Sequence, residues 1–248
     1  MSTDVAIPPV GEPSSKSFLQ RFIGVFVSPG ETFDDIVRKP DWIAPLVVMT
    51  VVAIGGVEIF LNKIGMKPVV DWAVEHSTRE PKPTPEQLAP AIRIQTIFAH
   101  AGGVIGETLM MLIIAALGLL IVNAILGGKI SFQTAFAIPC YANLVTIIRA
   151  AIGVVMMLAG GPDHIISNPS NPTPLSLGFF LDPVDTSKRL MSLGSSLDIA
   201  TFWFMLLLGV GYSRATGGKV KAGSIFGCYL GAWFIWALIK MGLSGLGG

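Results

Sequence analysis

Five long apolar runs dominate this chain, over residues 43–61, 101–126, 132–159, 197–212 and 222–243, and several carry a charged residue well inside them. Each run is near or above the roughly 20 residues that cross a bilayer as a helix. In hydrocarbon the backbone must satisfy its own hydrogen bonds, so such runs fold as helices. The predicted fold is therefore all-α: a polytopic membrane protein with a five-transmembrane-helix bundle over 43–243. Only 13% of the residues are charged and the mean hydropathy is +0.67, against about 25% charged in soluble domains.

The segment before the first run divides in two. Residues 1–16 are rich in Pro and Ser and read as a disordered tail, with no basic-then-apolar leader pattern. Residues 17–42 read as a pair of interfacial amphipathic helices. Phe18, Leu19, Phe22, Ile23 and Phe26 fall at helical spacing with Gln20 and Arg21 opposite them. Ser28-Pro29-Gly30-Glu31 then predicts a capping box that restarts the helix. Thr84-Pro85-Glu86-Gln87 predicts a second box, opening a helix that runs toward the second span past Pro90. Gly127-Gly128-Lys129 joins spans two and three as a tight helical hairpin. The connection before span four is irregular, and proline occupies the middle position of both its Asn-Pro-Ser and Asn-Pro-Thr triplets, blocking glycosylation.

Basic residues are densest near the span ends that face the N-terminal side: Arg38, Lys39, Lys129, Arg214, Lys219 and Lys221. The positive-inside rule then puts the N-terminus in the cytoplasm and the C-terminus outside. That topology brings Glu58, Glu107 and Arg149 to the outer half of the bundle, joined there by Asp198 and Lys240. An ionised side chain at such depth is costly unless paired or hydrated. Two readings follow: a structural ion pair, Glu107 with Arg149, or a hydrated pocket for a polar ligand. Gly223, Gly227 and Gly231 form a small-residue ladder for helix packing, within the bundle or between copies. Cys140 and Cys228 lie in separate apolar runs and read as unpaired packing residues.

The chain carries no phosphate loop, no nucleophile elbow and no His/Cys metal spacing, so it calls for no catalytic residue, no metal and no cofactor. A net charge of +1 without a basic stripe excludes nucleic acid.

Several segments then combine. Phe22-Ile23-Gly24-Val25-Phe26, Ser28-Pro29, Thr32-Phe33 and the stretch from Lys39 to Leu46 resemble the entry to bacterial-type Yip1-domain proteins. Gly127 to Phe132 with Ala135, Tyr141 and Ala142 resembles the start of that family's third span, and Phe202-Trp203, residues 209–212 and Lys221-Ala222 resemble its end. The resemblance implies a five-span bundle with a cytoplasmic N-terminus and no enzymatic activity. Its eukaryotic members act in vesicle trafficking with small Rab-type GTPases. With the bacterial-type likeness, the expected setting is a bacterial inner membrane. Two functions stay open: a membrane organiser or adaptor that binds lipid, a protein partner or a second copy, and a small transporter or channel subunit using the outer polar cluster.

Overall fold

Ser17 opens the first helix of the computed structural model, which describes residues 15–77, 80–159 and 163–244. The tail expected over 1–16 lies outside the described residues as far as residue 14. In α1 (Phe18–Val27) the Ser17 hydroxyl accepts from the Gln20 N–H and the Gln20 side chain accepts from the Ser17 N–H, a complete capping box. The box predicted at Ser28 is not made: α2 (Pro29–Arg38) starts with proline but with no side-chain bond from Ser28. Ser28 is already the closing residue of α1, its N–H held by the Gly24 carbonyl at 2.8 Å, and its φ of −145° reflects that role.

The two helices form a hairpin that crosses at Gly24, where an added Cβ would lie 2.2 Å from Thr32 Oγ1. Arg21 departs from the expected polar side and turns into the bundle, while Gln20 stays exposed. Arg21 is buried, whereas Leu19, Ile23 and Val27 are 63%, 51% and 74% exposed. Val25, Phe33 and Ile36 are fully buried against the bundle, where α2 runs along the helix after residue 198.

The first span is α3 (Ile43–Lys63). A short α4 (Met66–Glu75) and α5 (Pro85–Ala101) follow, and α5 opens with the predicted Thr84/Gln87 capping box. It continues through a π-helical turn, Gly102–Gly106, into α6 (Glu107–Leu119) and a second π turn, Leu120–Ile125. The tight connection follows: Gly127 takes a φ of 68°, and the Asn123 side chain bonds both the N–H and the carbonyl of Ile130.

Span three is broken into α7 (Phe132–Ala142), a 3-10 turn at Asn143–Thr146, and α8 (Ile147–Ala159). Pro139 lies inside α7 and has no N–H to give the carbonyl four residues earlier. That carbonyl, on Ala135, instead accepts from the Tyr212 hydroxyl at 2.8 Å. The chain closes with α9 (Asp163–Ser167), α10 (Lys188–Ser196), α11 (Ile199–Ala215) and α12 (Ala222–Ser244).

Among the described residues there is no strand, only an isolated bridge between Ser176 and Asp198. Among the described residues four helical segments are long and apolar enough to cross a membrane: Ile43–Lys63, Glu107–Ile125, Phe132–Ala159 and Ala222–Ser244. The fourth apolar run gives the shorter Ile199–Ala215, 17 residues, because Asp198 caps its start.

The packed core lies toward the N-terminal hairpin. Its fully buried large side chains include Tyr141, Tyr212, Phe33, Ile138, Leu144 and Leu208. Gly118 makes room there: an added Cβ would lie 2.2 Å from the Tyr212 hydroxyl and 2.8 Å from that of Tyr229. Tyr212 is held by Ala135 and Tyr229 by the Ile114 carbonyl, so neither ring can yield cheaply. Gly118→Ala should therefore cost about 1–3 kcal/mol as overpacking. A fall in the detergent melting temperature measures it, and an unchanged temperature would show that the tyrosines give way.

Candidate functional site

The opposite end of the bundle is less densely packed, and its backbone irregularities fall at the polar residues. Glu107 is the first residue of regular helix after the π turn, and Asn143 opens the 3-10 turn of span three. Such breaks in transmembrane helices are tolerated where protein or a cavity satisfies the backbone. Here the Asn143 amide donates to Glu107 Oε1, and Thr146 Oγ1 donates to the Asn143 carbonyl at 2.8 Å. One helical turn on, Arg149 Nη1 lies 3.8 Å from Asp198 Oδ1, whose oxygen also caps α11 by accepting from the Thr201 N–H at 2.9 Å.

These groups face a cavity of about 1280 Å³ walled by α3, α4, α5 and the second half of span three, from Thr146 to Met157. Its sides are apolar, from residues such as Met49, Val57, Phe60, Val154 and Met157. The irregular connection forms its roof. Asn171 organises that roof: its amide donates to Asn168 Oδ1 at 2.7 Å and to Ser195 Oγ at 2.9 Å, and its carbonyl oxygen accepts from Ser176 Oγ at 2.9 Å. Asn168 donates onward to the Gly178 carbonyl. The Leu177 N–H to Leu197 and Ile199 N–H to Leu175 bonds then fasten the roof to the start of α11.

The Yip1 domain model matches residues 23–241, from within α1 to the last turn of α12. The chain belongs to the Yip1 domain family. No curated protein and no solved structure matches it. The Yip1 match covers α2 and the second half of α1. A Yip1 domain with these apolar helices is an integral membrane protein seated in a lipid bilayer.

Within this Yip1 domain the structure brings Glu107 and Arg149 to one cavity but not to each other. No nitrogen of Arg149 is within 4.0 Å of a Glu107 oxygen; Arg149 pairs with Asp198 and Glu107 with Asn143. Glu58 sits apart, half-exposed, with its carboxylate 3.0 Å from His100 Nε2. Lys240 reaches the Ser196 hydroxyl at 3.2 Å. The ladder of Gly223, Gly227 and Gly231 lies on the exposed side of α12, with open space where each Cβ would stand. The helix turns Ile225 and Tyr229 inward instead, and close approaches between the long apolar helices fall at Gly118, Gly209 and Gly211.

Sequence reasoning missed the Arg21–Asp35 pair, joined at 2.8 Å with both side chains buried. It joins the hairpin to span three, since Arg21 also donates to the Tyr141 hydroxyl at 3.4 Å. Burial opposes the guanidinium charge, but the Tyr141 hydroxyl and the Asp35 carboxylate outweigh it and hold its pKa above the ordinary arginine value.

Proposed function

We propose that this protein is a non-enzymatic membrane organiser whose N-terminal hairpin works as a rigid wedge in the cytoplasmic leaflet of a bacterial inner membrane. The observation that carries it is the outward row of Leu19, Ile23 and Val27 on a helix whose other side is fixed to the bundle through Arg21 and Asp35. A free amphipathic helix partitions reversibly, whereas one held by a buried ion pair imposes its depth on the lipid. Exposed Lys39, Lys129, Lys219 and Lys221 lie at the same end and form no ion pair among the described residues, which suits an anionic headgroup layer.

The test uses proteoliposomes of phosphatidylethanolamine and phosphatidylglycerol. Wild-type protein should give smaller vesicles than the Leu19→Ser, Ile23→Ser, Val27→Ser triple variant, whose changes leave the buried side of α1 intact. Equal diameters would count against the wedge. The cavity beside Glu107 and Arg149 favours the second reading, a small transporter subunit, and a solute flux lost on Glu107→Gln would support that instead.

A further inference from the structure

The cavity holds two charged groups whose bonding capacity the protein does not use. Glu107 Oε1 accepts from Asn143, while Oε2 has no hydrogen-bond partner among the described residues. Arg149 touches Asp198 through a single nitrogen at 3.8 Å and its side chain is 45% exposed. Asp198 Oδ1 is already shared with the Thr201 N–H and hydroxyl. A carboxylate and a guanidinium in the wall of an apolar cavity at membrane depth each need compensation.

One ligand class compensates both at once: an amphiphile carrying an anion and a cation a few bonds apart on an apolar body. The size of the space favours a chain over a small solute, since about 1280 Å³ exceeds the roughly 300–1,000 Å³ of ordinary small-molecule sites. The lining also chooses the kind of cation. Quaternary ammonium groups are held by several aromatic faces, and Phe60 is the one aromatic residue among those lining this cavity. A carboxylate oxygen with a vacant lone pair instead suits a cation that donates N–H bonds.

We propose that this cavity binds a phospholipid with a primary-amine headgroup, its phosphate on Arg149, its ammonium on Glu107 and an acyl chain along the α3 and α8 walls. The inference does not depend on the hairpin wedge, which lies at the other end of the bundle.

Native mass spectrometry of the full, delipidated chain tests it, with equal amounts of phosphatidylethanolamine, phosphatidylcholine and phosphatidylglycerol of identical acyl chains. Phosphatidylethanolamine should be retained about tenfold over phosphatidylcholine, the scale of one charge-assisted hydrogen bond. Glu107→Gln should remove that preference, and Arg149→Gln should weaken retention of all three lipids. Equal retention by the wild-type chain, a preference for phosphatidylglycerol, or a preference that survives Glu107→Gln would each overturn the proposal. The wild-type comparison stands even where a variant fails to fold. Soluble phosphoethanolamine should not displace the lipid; displacement at equal concentration would place the ligand in solution and overturn the acyl-chain assignment. Ala53→Phe, which fills the α3 wall, should reduce retention of phosphatidylethanolamine without touching either charge.

Discussion

Arg21→Met should lower the stability of the hairpin-to-bundle contact by about 3–5 kcal/mol, the scale for removing one member of a buried ion pair. Arg21 makes four contacts that no methionine replaces: Asp35 Oδ2 at 2.8 Å, the Asp35 carbonyl at 3.4 Å, the Lys39 carbonyl at 3.2 Å and the Tyr141 hydroxyl at 3.4 Å. The larger part of the cost comes from what is left behind. Asp35 is 1% exposed and would keep only the Lys16 N–H and the half-exposed Arg38 as donors. The spans are held by their own packing, so the expected result is selective: α1 and α2 become protease-sensitive in mild detergent while the helical content of the bundle persists. Arg21→Lys keeps the charge but loses the fork that reaches four acceptors on three residues, and should fall between. The double variant Arg21→Met, Asp35→Leu should recover part of the loss, because it removes the orphaned carboxylate. A single variant with unchanged protease resistance would show that the pair is dispensable and that Val25, Phe33 and Ile36 hold the hairpin by apolar burial alone.

That buried pair also marks where sequence reading ends. The spans were legible because a bilayer forces any run of such length and apolarity into a helix, whatever its neighbours. The Thr84/Gln87 box was legible because its bonds are local, and it forms as read. The hairpin was legible as two helices but not in its orientation. An apolar stripe looks the same whether it faces lipid or protein, and Arg21 and Asp35 find each other only after the chain reverses at Ser28. The charged residues of the site follow the same division. Glu107 and Arg149 could be placed near one another by counting residues along spans two and three. Their actual partners depend on a 3-10 turn that brings Asn143 to Glu107 and on where α11 begins, which puts Asp198 beside Arg149. Asp198 itself signals where α11 begins, but the 3-10 turn has no local signal beyond Pro139, whose effect on the Ala135 carbonyl becomes visible only with Tyr212 in place.

Asn171→Ala should loosen the cavity roof and leave the rest of the bundle folded. Asn171 is 1% exposed and joins three side chains of the irregular connection. Ser195 retains a partner after the change, because its hydroxyl also donates to the Met191 carbonyl at 2.8 Å. Ser176 loses its acceptor and Asn168 Oδ1 its donor, and both residues are buried. Two buried groups left unpaired cost about 2–4 kcal/mol together, at roughly 1–3 each and less than additive within one network. The loss should stay local. Among the described residues the roof is fastened to the start of α11 by two backbone bonds, at Leu177 and Ile199, whereas α10 lies against α12 through an extended contact. Hydrogen exchange should therefore rise across 168–181 and remain slow in α7, α11 and α12. If the roof closes the lipid cavity, phosphatidylethanolamine retention should fall in the same variant even though neither Glu107 nor Arg149 has changed. Exchange that stays slow over 168–181 would show that backbone bonds and proline geometry, and not the Asn171 side chain, set the shape of the roof.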